Sequence, residues 1–588
     1  MDFRMFLNSK PGAAAGVILS AFLFSLHFTA PAQNQPKDPS KDLGSKTVAP
    51  PDYFEISKNL DVFNAIYREL NMSYVDGTKP GKLMKTGIDA MLNSLDPYTV
   101  YYAENDIEDY RLMMTGEYGG IGALVYDING KIIISDPYEG FAAQKAGIRS
   151  GDQIVGINGI NVEGKKTEEI STLLKGTAGT PVKLKIIKVG QNTPTEYNLM
   201  REEIKSPAVP YYGLLSNKTT GYIKLSSFTE NCSNEVKAAL LSLKSNGCKS
   251  LILDLRDNLG GLLHEAVSIV NFFIDKGQEV VFTKGKLADW DKTYLSTQTP
   301  IDTQIPMVVL VNESSASASE IVSGALQDLD RAVIIGKRTY GKGLVQQTKD
   351  LVYNSKVKIT VAKYYIPSGR CVQALDYSNR DEEGRVEKVP DSLITAFKTK
   401  GGRIVYDGAG IMPDISTGDD HYSNILISLI SKYHIFNYAT QYYLKHPTIP
   451  SVQDFKLSDA EFNDFLDYLK DKNYDYKTAS EVEMDELKKN AEAEKYFQDI
   501  KPEFEALVNR MKENKKDDLV KHREEVKKYL EEEIASRYYY HKGRIEYSLK
   551  TDKDVAESMR LLSDENKIKI LLSMSEKPTH PFNIKKRF

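Results

Sequence analysis

Ser315, Ser317 and Ser319 stand where a predicted strand runs into a predicted helix, in the serine-rich segment VNESSASASEIVSGALQD. The apolar run before it predicts a buried strand that ends at Val311, and the helix is predicted to begin near Ser319. A helix N-terminus presents free amides and the positive end of the helix dipole, which favour developing negative charge. This position suits a nucleophile for acyl transfer. The alternative is that Ser315, Ser317 and Ser319 only cap the helix.

Lys342 lies between two glycines in RAVIIGKRTYGKGLVQQ and has no acidic neighbour in the sequence. A lysine acts as a general base near neutral pH only if its pKa falls by about three units, which burial without a carboxylate partner can achieve. If LVQQT is a strand, Lys342, Leu344 and Gln346 point to one face, and the neutral amide of Gln346 would orient the lysine. A GKG segment alone is more typical of a turn.

A third segment, LILDLRDNLGG, offers main-chain hydrogen-bond donors. Its strand is predicted to end at Arg256, and two glycines follow shortly after. The amides of Gly260 and Gly261, together with the amide of Ala318, would form a pocket for an oxyanion. The alternative is that the glycine pair only marks the entry to a helix.

His264 lies three residues beyond Gly261 and would be the base of a Ser-His-Asp triad. Because it opens a predicted helix, we expect a helix-entry role instead. Asp254 and Asp257 flank Arg256 and are expected to form structural ion pairs. The sequence contains no HExxH, no pair of CxxC motifs and no phosphate-loop pattern, so neither a metal nor another cofactor is predicted.

The segments around these residues predict a multidomain chain of α/β and β architecture. Apolar strands alternate with helices over residues 206–418, which is typical of an α/β core with a buried sheet, interrupted by a charged insertion at 376–406. Residues 110–205 predict a small, partly open barrel of short strands and two short helices. Residues 53–109 predict N-terminal helices, and residues 419–588 predict a charged helical region.

Taken together, the three segments resemble the carboxyl-terminal processing peptidases, or tail-specific proteases, which form the serine-lysine family S41. The resemblance covers about residues 53–418 and extends to YYIPSGR and GIMPDI. It implies that Ser317, the middle serine of the S-A-S-A-S-E run, is the nucleophile. It also implies that Lys342, 25 residues later, is the base and that Gln346 supports it.

Two features depart from the family pattern. Tyr98 stands where members often have histidine in SLDP-H-S, and the insertion at 376–406 interrupts the core. We expect neither feature to touch the pair of Ser317 and Lys342.

Residues 119–203 resemble a PDZ domain, through GGIG and AAQKAGIRSGDQIVGING. The resemblance implies that the amides of Gly120, Ile121 and Gly122 receive the terminal carboxylate of a ligand, whose tail adds as a strand to the sheet edge. The implied partners are protein or peptide substrates with free C-terminal tails. A homo-oligomer or an adaptor protein is a further candidate partner.

The sequence therefore predicts a serine endopeptidase that hydrolyses peptide bonds near the C-termini of docked proteins through an acyl-enzyme. The alternative is a PDZ peptide-binding scaffold whose protease core is inactive or activated by a partner. Binding without turnover would distinguish the scaffold. A weaker third interpretation is a helical-arm protein with a vestigial core, which the intact spacing of Ser317, Lys342 and Gln346 opposes.

Composition excludes some classes of function. The formal net charge is -4, with a pI near 6.2, whereas a nucleic-acid partner would require a basic face. The three cysteines are Cys232, Cys248 and Cys371. The helix predicted between Cys232 and Cys248 separates them by roughly 24 Å, too far for a disulfide, so we expect all three to be free and buried.

The N-terminus predicts export. Arg4 and Lys10 precede the apolar run AAAGVILSAFLFSLHF, and Ala30-Pro31-Ala32 forms a small-x-small cleavage pattern, so residues 1–32 predict a secretory signal. Residues 33–52 predict a flexible linker. We expect a periplasmic protein that contacts a membrane only if the signal stays uncleaved.

Overall fold

The computed structural model describes residues 53–381, 384–418 and 421–573. The predicted signal and linker, residues 1–52, lie outside these described residues. The chain divides into two compact units, with the boundary after Ala90. Over the described ranges, none of the helices combines the length and hydropathy that a bilayer span requires.

The first unit holds helix α1 (Tyr53–Ser73) and most of helix α2 (Pro80–Asn93). The hydroxyl of Tyr67 donates a hydrogen bond to the carbonyl of Pro80 at 2.9 Å. No residue of either helix is buried.

The second unit begins with a short strand and a helix and continues into a small antiparallel barrel. Its elements are β1 (Val100–Tyr102), α3 (Ile107–Thr115), β2 (Glu117–Gly120), β3 (Ala123–Ile128), β4 (Lys131–Pro137), α4 (Ala142–Lys145), β5 (Gln153–Ile157), β6 (Ile160–Asn161), α5 (Thr167–Leu174), β7 (Pro181–Ile187), β8 (Pro194–Met200) and β9 (Glu202–Lys205). Strand β1 lies within the range that the sequence predicts as helical.

The barrel sheet has the strand order β3-β4-β5-β7-β8, with β6 paired to β5, while β2 pairs with β9. Inward-facing residues of these strands and of α5 form one apolar core, which includes Ile134, Ile154, Leu184 and Ile170. Strand β3 lies at the edge of the described sheet and faces α5, so a ligand strand can add there.

The α/β core follows the barrel. Its elements are β10 (Tyr211–Leu214), β11 (Thr220–Lys224), α6 (Cys232–Ser245), β12 (Ser250–Asp254), α7 (Leu263–Asn271), β13 (Glu279–Gly285), β14 (Lys292–Leu295), β15 (Met307–Val311), α8 (Ala318–Asp328), β16 (Val333–Gly336), β17 (Leu344–Asp350), β18 (Lys356–Tyr365), β19 (Leu375–Arg380), β20 (Val386–Lys388), β21 (Ala396–Lys398), β22 (Ile404–Tyr406) and β23 (Ile415–Ser416).

Two sheets build this core. A mostly parallel sheet has the order β10-β11-β12-β15-β16-β23, in which only β10 is antiparallel to its neighbour. An antiparallel sheet has the order β1-β18-β13-β14, with β17 also paired to β18. The insertion contributes two small hairpins, β19-β20 and β21-β22.

The remaining described residues are helical. They form α9 (Asn424–Ser431), α10 (His434–Lys445), α11 (Asp459–Leu469), α12 (Ala479–Ala493), α13 (Phe497–Lys516), α14 (Asp518–Lys521), α15 (Arg523–Ser548), α16 (Lys553–Leu562) and α17 (Glu565–Ser573). Helices α9, α10, α11 and α15 share an apolar core of their own. The predicted multidomain architecture of α/β core, barrel and C-terminal helices is confirmed.

The parallel sheet is buried on both faces. Residues that alternate along β12 and β15, such as Leu253 and Val309, pack against α6, α7 and α8. Their neighbours Ile252 and Val308 pack against α16 and α17. The strands are therefore continuous apolar runs, and the last two described helices form the second layer that covers the core sheet.

Candidate functional site

Hydrogen bonding distinguishes the three serines of the strand-to-helix corner. The buried hydroxyls of Ser315 and Ser319 donate to the carbonyls of Leu255 and Asn258, each at 2.8 Å. Ser317 is only half-buried, and its hydroxyl donates to no described residue. Of the three, only the Ser317 hydroxyl is free to react.

The backbone of Ser317 lies in a strained conformation. It precedes α8 with φ 54° and ψ -110°, a region that residues with a side chain rarely adopt. Such strain costs on the order of 1–3 kcal/mol and persists only where the surroundings hold it. The Ser317 amide donates to Oε2 of Glu320 at 2.9 Å, and this bond is one part of that support.

Glu320 ties the serine corner to the lysine segment. It is fully buried, and its two carboxyl oxygens accept hydrogen bonds from the amides of Ser317, Gly341 and Lys342 and from the hydroxyl of Thr339, at 2.6–2.9 Å. Burial raises the pKa of Glu320 to about 7, while the four donated bonds oppose the rise. One carboxylate thus fixes the main chains on both sides of the site.

Tyr364 makes the complementary connection. Its buried hydroxyl lies 2.7 Å from the carbonyl oxygen of Lys342 and 3.2 Å from that of Ser317, with the geometry of a donor to each. Glu320 accepts the amides of the same two residues. Glu320 and Tyr364 therefore hold the backbones of Ser317 and Lys342 in fixed positions relative to each other, independently of the conformations of the two side chains.

The amine of Lys342 lies in a mostly buried pocket. It forms no hydrogen bond or ion pair with any described residue, and it lies 4.2 Å from the centre of the Tyr98 ring. Burial, aided by the charge of Lys358, lowers the pKa of Lys342 to about 8. The sequence-based expectation that Tyr98 does not touch the pair is therefore wrong.

Gln346 differs from expectation. Strand β17 begins at Leu344, so Lys342 lies before it, and the register shift between Val345 and Gln346 places the extra residue, Val361, on the paired strand β18. The Gln346 amide donates to the hydroxyl of Thr360 at 3.2 Å and makes no hydrogen bond with Lys342. The structure thus shows no contact by which Gln346 would orient Lys342, and this role stays a prediction.

The glycine loop lies directly against the serine. A Cβ atom on Gly260 would meet the amide nitrogen of Ala318 and the Cβ of Ser317, each at 2.9 Å. The Gly260 amide donates to Oδ1 of Asn258 at 2.9 Å and is already used. The amides of Gly261 and Ala318 have no acceptor among the described residues, and they remain the available donors of the predicted oxyanion pocket.

The other charged candidates have structural partners. His264 is exposed on α7, with its ring 3.6 Å from the carboxylate of Glu265. Arg256 pairs with Asp254 at 2.6 Å as expected, whereas Asp257 receives a hydrogen bond from the side-chain amide of Asn312. Within the described ranges, no cluster of His, Cys, Asp or Glu side chains is placed to hold a metal ion.

The three cysteines are free, as predicted. Cys232 is buried, while Cys248 and Cys371 are only partly buried.

The loop predicted to bind a carboxylate connects β2 to the edge strand β3. The carbonyls of Ile121 and Gly122 accept hydrogen bonds from Ala143 and Tyr138, whereas the amides of Ile121 and Gly122 have no described acceptor. The side chain of Ile121 is buried in the barrel core. The loop is thus anchored through its carbonyls and side chain, which leaves amides for a ligand.

Sequence reasoning missed three residues of the site: Glu320, Tyr364 and Tyr98. Glu320 stands three residues after Ser317 in an S-x-x-E pattern, which signals a helix N-terminus and so concealed its second role. Tyr364 lies in the YYIPSGR motif. No sequence signal places Tyr98 beside a lysine 244 positions away.

Comparison with known proteins identifies the class. The chain matches the model of peptidase family S41 over residues 219–377 and a PDZ domain model over residues 133–188. Residues 425–562 match the model of a probable PDZ-protease C-terminal helical domain. The chain is therefore a serine peptidase, and so a hydrolase, that carries a PDZ domain.

Named relatives narrow this class. The chain is 37% identical over 322 residues to a carboxy-terminal-processing protease of Bartonella bacilliformis, covering 54% of this chain and 73% of the relative. It is 34% identical over 334 residues to the carboxy-terminal processing protease CtpA of Bacillus subtilis, covering 57% and 70%. A solved photosystem II D1 C-terminal processing protease aligns at 27% identity over 61% of this chain and 93% of its own, with a TM-score of 0.33. The chain belongs to the carboxy-terminal processing protease family.

Proposed function

We propose that this protein is an exported endopeptidase that cleaves protein substrates near their C-termini by means of Ser317 and Lys342. One observation carries the assignment. The Ser317 hydroxyl and the mostly buried Lys342 amine, neither of which has a hydrogen-bond partner among the described residues, belong to two residues whose backbones share Glu320 and Tyr364.

In the proposed reaction, the neutral amine of Lys342 takes the proton of the Ser317 hydroxyl, and Oγ attacks the scissile carbonyl carbon. The amides of Gly261 and Ala318 stabilise the resulting oxyanion at the N-terminus of α8. As the tetrahedral intermediate collapses, protonated Lys342 gives its proton to the leaving amine. Water, deprotonated by the same lysine, then hydrolyses the acyl-enzyme.

Substrate docking is assigned to the PDZ domain. The free amides of Ile121 and Gly122, with that of Gly120 beside them, would bind the terminal carboxylate of a substrate tail, and the free edge of β3 would pair with the tail. The apolar run and cleavage pattern of residues 1–32 support export to the periplasm, with membrane contact only through an uncleaved signal. We also propose that the chain self-associates or binds an adaptor protein, although no described contact supports either.

The second candidate is a peptide-binding scaffold whose protease core a partner activates. It is favoured by a single feature: the Ser317 hydroxyl donates no hydrogen bond to the Lys342 amine in this structure. In uncomplexed enzymes such bonds are often long and shorten only when substrate binds. We therefore place the peptidase first.

The test is cleavage of an unfolded protein with an apolar C-terminal tail by the purified chain, beside Ser317→Ala and Lys342→Ala. Loss of turnover in both variants, with tail binding retained, supports the assignment. Equal turnover in all three proteins would remove Ser317 and Lys342 from the chemistry. Tail binding without turnover in any of them would favour the scaffold.

A further inference from the structure

Three tyrosines from separate segments meet at Tyr98, whose ring lies over the proposed base; we call Tyr98, Tyr340 and Tyr377 the tyrosine cluster. The Tyr98 hydroxyl lies 3.3 Å from the Tyr340 hydroxyl and 3.4 Å from the Tyr377 hydroxyl. The rings of Tyr98 and Tyr377 pack edge to face with centroids 5.9 Å apart. Tyr377 lies on β19, so the insertion contacts the residue whose ring covers Lys342.

Tyr98 is held by the loop before β1. The carboxylate of Asp96 is buried and accepts hydrogen bonds from the amides of Tyr98 and Thr99, both at 2.8 Å. The Thr99 hydroxyl approaches the Thr360 hydroxyl at 3.4 Å, and Thr360 also receives the Gln346 amide. The glutamine predicted to orient the lysine is thus linked to the loop that carries Tyr98.

The ring has the geometry of a cation–π contact. Its centre lies 4.2 Å from the Lys342 nitrogen, well within the distance at which an ammonium group and an aromatic face attract each other. The charged groups that act on Lys342 come from other elements: Asp96 and Glu320 favour the ammonium form, and Lys358 disfavours it. Burial is the largest influence on this amine, and the Tyr98 ring covers it directly.

We propose that Tyr98 is a positioning residue for the general base: its ring covers the Lys342 amine, fixes its direction and excludes water from it. The inference rests on the proposed function of Ser317 and Lys342. It assigns a role to a residue that departs from the family pattern and connects the insertion to that role through Tyr377.

Loss of the Tyr98 ring is expected to raise the pKa of Lys342. Tyr98→Ala removes two opposing effects of the ring: the cation–π attraction, which favours the ammonium form, and the burial of the amine, which disfavours it. Because burial is the largest influence on this amine, entering water should raise the pKa of Lys342 toward its usual value. A rise of about one unit lowers the neutral fraction, and with it kcat/KM at pH 7, by roughly tenfold. Tyr98→Phe keeps the ring and loses only the hydroxyl contacts, so its profile should stay close to that of the unchanged protein.

The experiment measures kcat/KM from pH 5 to 10 for the purified chain, Tyr98→Ala, Tyr98→Phe and the control Tyr110→Ala. Tyr110 places its ring over a different lysine, Lys356, at 5.5 Å. In parallel, the pH midpoint for labelling of the Lys342 amine by trinitrobenzenesulfonate is measured by mass spectrometry in the Ser317→Ala background. The labelling reports the amine without requiring turnover. If Tyr98→Ala does not fold by circular dichroism, Tyr98→Leu replaces it.

An upward shift of both midpoints in Tyr98→Ala or Tyr98→Leu, with Tyr98→Phe and Tyr110→Ala unchanged, is the expected result. Unchanged midpoints would overturn the role of Tyr98 while leaving the proposed function intact. Faster turnover of Tyr98→Ala at every pH would also overturn it, because the ring would then withhold the amine from Ser317. Retained activity in Ser317→Ala and Lys342→Ala would instead remove the proposed function itself.

Discussion

At the scale of single residues, the site depends on contrasts between neighbours. The hydroxyls of Ser315 and Ser319 donate hydrogen bonds to main-chain carbonyls, whereas the Ser317 hydroxyl donates to no described residue. Glu320 is buried among four donors, whereas Lys342 is mostly buried without an acceptor. Burial therefore moves the pKa of the acid up and that of the lysine down, and both changes bring titration toward neutral pH.

The first prediction concerns pH. The base must be neutral, and the pKa of Lys342 is lowered to about 8, so kcat/KM should rise with pH and level off above this value. Protonation of Glu320 below about pH 7 removes an acceptor from the main chains of the site, so the acidic limb should steepen there. Initial rates on a tailed substrate from pH 5 to 10 measure this. A flat profile from 5 to 9 would contradict it.

The second prediction is that Glu320→Gln reduces activity. The glutamine NH2 group would face two hydrogen-bond donors, so the main chains of Ser317 and Lys342 shift and kcat falls by ~10–100-fold. The measurement is kcat beside thermal unfolding. The control is Glu265→Gln, which alters another carboxylate that accepts two main-chain amides, those of Asn231 and Ser233 rather than those of Ser317 and Lys342. An equal fall in kcat for both variants would mean that Glu320 acts only through general stability.

At the scale of elements, the loop after β12 and the start of α8 are packed against each other without room for a side chain. Gly260 has φ +97°, and a Cβ there would lie 2.7 Å from the Ala316 carbonyl oxygen. Asn258 fixes the same loop: its side-chain amide donates to the Leu225 carbonyl, and its own carbonyl accepts the Ser319 hydroxyl. The strand end and the helix start thus form one rigid corner.

The third prediction is that Gly260→Ala strongly reduces turnover while it destabilises the fold only modestly. The left-handed backbone costs about 1–2 kcal/mol for alanine, and the contact with Ala316 displaces the serine corner, reducing kcat by ~100-fold. Gly277→Ala is the matched control, because Gly277 has φ +87° and open space around it. Chemical denaturation and kcat are compared for both. Full activity in Gly260→Ala would show that the corner tolerates movement.

At the scale of the whole molecule, the C-terminal helices complete the peptidase core. Helices α16 and α17 cover one face of the parallel sheet. Asp552 and Asp554, at the start of α16, pair with Arg256 at 2.9 and 3.1 Å. Arg256 immediately precedes the loop that holds Gly260 and Gly261, so the C-terminal region is coupled to the site through one ion-pair network.

The fourth prediction is that the double variant Asp552→Asn, Asp554→Asn lowers stability and turnover together. Arg256 would keep only Asp254 as its charge partner, and the weakened network should cost about 1–3 kcal/mol. Urea unfolding and kcat test this. Asp564→Asn is the control, since the exposed Asp564 carboxylate contacts only Lys567 among the described residues, through an ion pair at 3.8 Å and a hydrogen bond from the Lys567 amide at 3.3 Å that asparagine can also accept. An unchanged midpoint would mean that Asp254 alone balances Arg256.

The sequence alone predicted the architecture and the two segments that carry Ser317 and Lys342. Continuous apolar strands between helices require a sheet buried on both faces, and the glycines, serines and lysine of the three motifs lie in short local patterns that need no distant partner to be recognised. The same locality explains the PDZ prediction. Because Ser315, Ser317 and Ser319 share the same local pattern, only the resemblance to a family distinguished Ser317 as the predicted nucleophile.

Only the tertiary structure decided which groups surround the pair. The Gln346 amide donates to Thr360 on the neighbouring strand, and the contact of Tyr98 with Lys342 joins positions 244 residues apart. The sharing of Glu320 and Tyr364 by two segments, and the covering of the core sheet by α16 and α17, likewise depend on chain folding over long separations. Periodicity reports what a residue does within its own element, whereas these contacts join different elements, and so no local pattern encodes them.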